Sequence, residues 1–234
     1  RGVELNSETQ AIKLGYLSQI DLFRDLNPNE IAKIEQATTM CSYDKGKVFY
    51  LPEETGEILF LIKQGRVHLY RLSPAGRKLT VATLGPGTFF GEMALVGQGM
   101  HNTFAEASEG CVLCLMNRND VERFILGNPK IALRLVAALG QRLTEVENQI
   151  EALAFKSVPA RLASLLLRLA REGEIEGPTH NDLAEMVGAY RETVTQVLDG
   201  FQSSGLLRLG RKSITILDKA GLKSIAESPQ QPGR

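Results

Sequence analysis

The chain has 234 residues, 43% of them apolar and 23% charged, with 27 Lys and Arg set against 27 Asp and Glu. That length holds one large or two modest domains, and the composition is that of an ordinary soluble globular protein. No apolar run approaches a membrane span, no leader segment is visible, and three Cys do not make a disulfide framework, so a cytoplasmic protein is expected.

Residues 8–37 read as helical, with Asn27-Pro28 opening a helix through Ile31, Ile34 and Ala37. From 40 to 118 the pattern changes to short β-like runs between recurring glycines: Val48–Leu51, Ile58–Ile62, Val67–Leu72, Leu79–Leu84, Thr103–Ala107 and Cys111–Met116. Many short strands with Gly turns predict a barrel or β-roll. Asn119-Asp120 is expected to cap a short helix, and Asn128-Pro129 to start a long one. Along the long helix Leu139, Leu143, Val146, Ile150 and Leu153 recur at alternating steps of four and three, a heptad seam that suits a second copy of the chain. A hinge is expected at Phe155–Pro159, since Pro fits the first turn of a new helix. That helix is expected over Ala160–Arg171. The expected domains are therefore 1–128, 129–155 and 156–234.

The segment Thr179–Leu207 carries the strongest signal. Thr179 suits an N-cap, Asp182 answers it as a capping box, and Leu183, Ala184 and Val187 form one apolar face. Gly188 ends that helix where a left-handed residue costs least. A second helix follows from about Tyr190, with Val194, Val197, Leu198 and Phe201 inward and Arg191, Glu192, Thr195 and Gln196 outward. This is a helix-turn-helix whose second helix offers base-reading side chains at its N-terminal end. Residues 205–217 then read as a hairpin with Arg211 and Lys212 at its tip, a wing placed to meet phosphates. Residues 156–234 carry 11 Lys and Arg against 9 Asp and Glu, so any DNA-binding surface is a local patch rather than a basic domain.

Arg191-Glu192-Thr193-Val194-Thr195-Gln196-Val197-Leu198, with its flanking helix and wing, resembles the DNA-binding domain of the CRP/FNR family of bacterial transcription factors. A second match, Gly85–Leu95, resembles the family's ligand-cradling segment, and the likeness covers nearly the whole chain. The resemblance implies an α+β protein: an N-terminal β-roll, a long dimerisation helix and a C-terminal winged helix-turn-helix. It implies a homodimer on double-stranded DNA, reading a TGTGA-type palindrome, with RNA polymerase as a further partner and Glu172–Pro178 as an exposed loop to meet it. Arg191 and Glu192 take the base-reading roles on G·C pairs. Gln196 stands where the resemblance puts a further base-reading Arg, which shifts preference toward adenine. Thr195 is left for a thymine methyl or a phosphate, and Thr179, His180, Tyr190, Arg211 and Lys212 complete the DNA surface.

In nucleotide-binding members the cradle brings a Gly-rich turn to the phosphate and a Glu to the ribose; the matching residues are Gly91, Glu92, Met93 and Ala94. The family's phosphate-pairing Arg is absent: Asn102 and Thr103 stand there, beside His101. Two helix hydroxyls that meet the base are replaced by Val146 and Glu147. Activation by cyclic AMP is therefore not expected, and Gly91-Glu92 reads as structural. No cofactor is expected. Residues 1–40 hold no Cys for an iron–sulfur cluster, and His68, His101 and Cys41 have no motif supporting heme. No His pair has metal spacing, and Cys111 and Cys114 lie in one strand facing opposite ways. An effector-gated sensor is the alternative. Phe104–Ala107, Arg191–Thr195 and Gly221–Glu227 are similar to stress-response members that bind DNA without a ligand. Catalysis is not expected, for want of a nucleophile–base pair.

Overall fold

The computed structural model describes residues 16–17, 20–23, 26–51, 57–91 and 103–228. These form two compact units, one drawn from residues up to Arg71 and from Val81–Leu143, the other from Leu72–Thr80 and from Thr144 onward.

A 3-10 turn at Asp21–Phe23 precedes helix α1, Pro28–Gln36. The expected start at Asn27-Pro28 is correct because the cap is local. Asn27 Oδ1 accepts from Glu30 N at 3.0 Å, and Glu30 Oε2 accepts from Asn27 N at 2.8 Å, a capping box with Pro in the first turn. The expected helix to residue 37 stops sooner than a strand begins: Ala37 is the C-cap and β1 runs over Thr38–Tyr43. The sequence reading missed β1 because its polar residues give no clean alternation.

The roll continues with β2 Val48–Tyr50, β3 Ile58–Gln64, β4 Val67–Leu72, β5 Lys78–Leu84, β6 Phe89–Phe90, β7 Phe104–Ala107 and β8 Cys111–Asn117. One sheet has the order β1-β8-β3-β6 and the other β2-β7-β4-β5. Strand β3 is an unbroken apolar run because both of its faces are covered. Phe60 and Ile62 join Tyr50, Leu69, Phe90 and Leu113 inside the roll, while Leu59 and Leu61 meet Ile34, Met116, Val121 and Ile131 on the helical side. Cys111 and Cys114 divide in the same way, one into each core, and both are buried. Burial pushes the Cys111 thiol above its ordinary range, with the nearby Glu109 adding to the effect. Tyr16 donates its hydroxyl to Ile62 O.

Helix α2, Arg118–Gly127, is capped two residues earlier than expected. Asn117, not Asn119, caps it: β8 runs directly into Asn117, whose backbone is extended and whose side chain accepts from Asp120 N at 2.9 Å. Helix α3 spans Pro129–Phe155, the expected length. Leu139 and Val146 on it are half-buried, and Leu143, Ile150 and Leu153 are exposed. Val136, 66% exposed, extends the seam one step toward the N-terminus. Arg142 on the same helix donates to Phe89 O at 2.8 Å and lies 5.5 Å over the Phe89 ring, fastening α3 to the β6 turn.

The second unit holds α4 Val158–Leu169, β9 Glu174–Glu176, α5 His180–Val187, α6 Arg191–Ser203, β10 Leu207–Gly210, β11 Ser213–Ile216 and α7 Lys219–Glu227. Leu162, Leu166, Leu183, Val194, Leu198, Leu207 and Ile214 close its core. The stretch expected as the loop Glu172–Pro178 contains β9, which pairs with β11 and buries Ile175. Among the described residues no helix is long and apolar enough to cross a membrane.

Candidate nucleic-acid interface

Two short helices and their turn build the site. Thr179 caps α5: Asp182 N donates to its hydroxyl oxygen at 3.2 Å, while Asp182 Oδ2 accepts from Thr179 N at 2.7 Å and from its hydroxyl at 2.8 Å. Such a cap contributes about 1 kcal/mol. Gly188 ends α5 at φ 66°, ψ 41°, with its N–H donating to Ala184 O. A left-handed residue there turns the chain at little cost. Two residues later Tyr190 occupies the N-cap of α6 without a side-chain cap bond. Val194, Leu198 and Phe201 are buried inward from α6, which fixes the helix's rotation and sends Arg191, Glu192 and Gln196 into solvent. Tyr190 is 65% exposed beside them.

The wing is a two-residue hairpin. Gly210 pairs with Ser213, so Arg211 and Lys212 form the tip, both exposed. Lys212 adopts φ 62°, an uncommon backbone state for a residue with a Cβ. The cations at this tip are thus held on a tight turn backed by a three-stranded sheet, β10-β11-β9.

Two connections were not legible in the sequence. His180 Nδ1 lies 3.0 Å from Thr195 Oγ1, joining the start of α5 to the reading helix. Arg161 Nε donates to Val187 O at 3.0 Å and its Nη1 to Lys156 O at 2.9 Å, tying the hinge after α3 to the end of α5. Burial draws the Arg161 guanidinium below its usual range, although two carbonyls hold its protons. Neither link has a local sequence signal, because each joins residues brought together only by folding.

The model of the Cyclic nucleotide-binding domain matches residues 40–128, and that of the Crp-like helix-turn-helix domain matches residues 160–225. The cyclic AMP receptor protein of Thermus thermophilus is 34% identical over 88% of this chain and 96% of its own. The chain belongs to the CRP/FNR family of transcription regulators. The transcriptional regulator SdrP of Thermus thermophilus is also 34% identical, over 84% of this CRP/FNR chain and 98% of the relative. The crystal structure of a CRP/FNR-family regulator from the same organism has a TM-score of 0.69 and 33% identity, covering 82% of this chain and all of its own. This CRP/FNR protein is a DNA-binding transcription regulator through its helix-turn-helix domain, as the sequence implied, and the β-roll with a C-terminal helix-turn-helix is its fold.

The residues expected in an effector cradle fall into three groups. Glu92, Met93, Ala94 and Asn102, with His101, lie outside the described residues. Gly91 and Thr103 belong to the first unit, where Thr103 is half-buried. Val146, half-buried, and Glu147, exposed, belong to the second. Gly91 has φ +88°, and a Cβ on it would stand 2.4 Å from Ile58 O and 3.3 Å from Phe60 Cδ2. Close strand packing alone requires glycine at this position.

Proposed function

We propose that this regulator acts as a homodimer that reads a TGTGA-type near-palindrome through α6 and does so without activation by cyclic AMP. The observation that carries the reading is the N-terminal end of α6, where Arg191, Glu192 and Gln196 are exposed on a helix whose rotation is fixed by a buried face. Arg191 would bind guanine O6 and N7 in bidentate fashion, and Glu192 would accept from cytosine N4. Gln196 is suited to adenine. Thr179, His180, Tyr190, Arg211 and Lys212 would set register on the phosphates. The exposed seam of α3, with Leu143 at 60% and Ile150 at 61%, is an apolar stripe that a second copy would cover. The two reading helices would then meet half-sites one duplex turn apart, about 34 Å. A chromosomal target places the protein in the cytoplasm and makes RNA polymerase its functional partner.

The test is a salt titration of binding to a TGTGA-N6-TCACA duplex, with and without excess cyclic AMP. Tight binding without nucleotide, falling steeply with salt as phosphate contacts release counterions, is the expected result. Arg191→Ala is expected to cost about 1–3 kcal/mol per half-site and to relax specificity. Binding that appears only with the nucleotide would overturn the effector part. Unchanged operator binding by Arg191→Ala would overturn the assignment of α6.

A further inference from the structure

The bond between His180 and Thr195 gives one residue of the reading surface a defined orientation. His180 is the first residue of α5 and Thr195 the fifth of α6; their side chains meet at 3.0 Å and both are half-buried. The other outward residues of this turn of α6, Arg191, Glu192 and Gln196, are exposed. We propose that His180 and Thr195 form one specificity-determining unit. His180 Nδ1 holds the Thr195 hydroxyl toward α5, the Thr195 methyl is left to meet a thymine C5-methyl in the major groove, and His180 Nε2 meets the adjoining phosphate. This rests on the reading of α6 as the base-reading helix.

The argument starts from threonine itself. Its hydroxyl is both donor and acceptor and so addresses any base edge, whereas its methyl favours the apolar methyl of thymine. In a helix, threonine divides between two side-chain rotamers, because its hydroxyl also finds backbone carbonyls. A hydrogen bond to a residue on another helix selects one of them. With the hydroxyl directed at α5, the methyl takes a fixed and different direction from the same Cβ. Thr195 follows Arg191 by four residues, so the two share a helix face about 6 Å apart along the axis. That is within about two base steps on the duplex, so Thr195 addresses a pair close to the one Arg191 reads.

His180 serves both ends of this arrangement. One ring nitrogen is engaged by Thr195, which leaves the other for a partner outside the protein. The ring sits at the N-terminal end of α5, where the helix dipole favours an anion. A phosphate bound there and the thymine contact of Thr195 would therefore be coupled through one imidazole.

The experiment measures binding at one salt concentration to duplexes in which each half-site position carries each of the four bases in turn. The proteins are the parent, Thr195→Val, Thr195→Ala, His180→Ala, the double variant His180→Ala/Thr195→Val, and Arg191→Ala. Thr195→Val is expected to keep the thymine preference, since it keeps a methyl and has no hydroxyl to hold. Thr195→Ala is expected to lose about four-fold of it per half-site, the worth of one buried methyl. His180→Ala is expected to weaken binding to every duplex and also to flatten the preference at the Thr195 position alone. The double variant is expected to recover that preference while remaining weak, an outcome that a merely structural role of His180 does not produce. If His180→Ala leaves the preference unchanged, or flattens every position equally, the unit does not exist. If Arg191→Ala leaves the guanine preference intact, the reading of α6 fails instead, whatever His180 does.

Discussion

Gly91 and Gly87 offer a matched pair of substitutions inside the segment that resembles a ligand cradle. Their backbones are nearly identical, φ +88° and φ +86°, so alanine at either position incurs the same left-handed strain, about 1–2 kcal/mol. Their surroundings differ. A Cβ on Gly87 meets nothing within 4 Å, while one on Gly91 stands 2.4 Å from the carbonyl oxygen of Ile58. A backbone oxygen cannot swing aside as a side chain does, so β6 must part from β3. That movement disturbs the Phe60–Phe90 and Leu61–Phe89 pairings and the stacked Phe60 and Phe90 rings, whose centroids are 4.6 Å apart.

A ladder hydrogen bond contributes about 1 kcal/mol net and an aromatic pair about 0.5–1.5 kcal/mol beyond its burial. Gly91→Ala should therefore cost roughly 2 kcal/mol more than Gly87→Ala. For a chain of this size that difference lowers the midpoint by roughly 4–8 °C. The assay is thermal unfolding of the two variants and the parent by circular dichroism, without nucleotide and with cyclic AMP in excess. Midpoints of the two variants within about 1 °C of each other would refute the steric reasoning. A Gly91→Ala protein that melts like its parent and differs only in its response to nucleotide would show that Gly91 serves a ligand instead of the β3–β6 packing.

Two further outcomes are expected. Ile150→Glu places a charge at the middle of the α3 seam, where the single chain leaves Ile150 61% exposed; two such losses per dimer remove about 3–6 kcal/mol, so sedimentation should show monomer where the parent is dimeric, and an unchanged dimer would remove the seam from the interface. Tyr43 is held un-ionised up to about 12 by burial first and by the neighbouring Cys41 second. Its unfolded value is 10.0, so the native state keeps this proton longer than the unfolded chain does. Stability should then fall as pH rises between about 10 and 12, and Tyr43→Phe should flatten that slope in urea unfolding.

What was legible in the sequence is what short-range chemistry decides. Thr179 with Asp182, Asn27 with Glu30 and Gly188 each act within one helical turn, so the starts of α1 and α5 and the end of α5 could be placed to the residue. The seam on α3 was visible because a heptad repeat is a property of one helix, and even Val136 was there to be read. The strands β1, β6 and β9 were missed for a different reason. β6 is two residues long, β9 is three, and β1 mixes exposed and half-buried positions, so their partners across the sheet define them. The His180–Thr195 and Arg161–Val187 bonds lie further still from local signals, since each joins elements separated by a turn or by a strand and its loops.

The same distinction bears on the effector question. A ligand switches a two-state protein only by its difference in affinity for the two states, and moving a 1:99 population to 99:1 takes about 5.5 kcal/mol. In the resemblance, a phosphate–guanidinium pair and two helix hydroxyls supply that difference for cyclic AMP. Here Asn102 replaces the cation, and Val146 and Glu147 replace the hydroxyls. The charge-assisted pair alone is worth about 1.5–3 kcal/mol and a neutral hydrogen bond from Thr103 about 0.5–1.5 kcal/mol. Thr103 alone falls several kcal/mol short of a full switch. On the proposed reading, the ligand-free protein already holds its DNA-binding arrangement. Cyclic AMP at saturation should then change operator affinity by less than about ten-fold, the effect of 1.4 kcal/mol. A larger change would mean that residues outside this set bind the nucleotide and that the switch was rebuilt rather than lost.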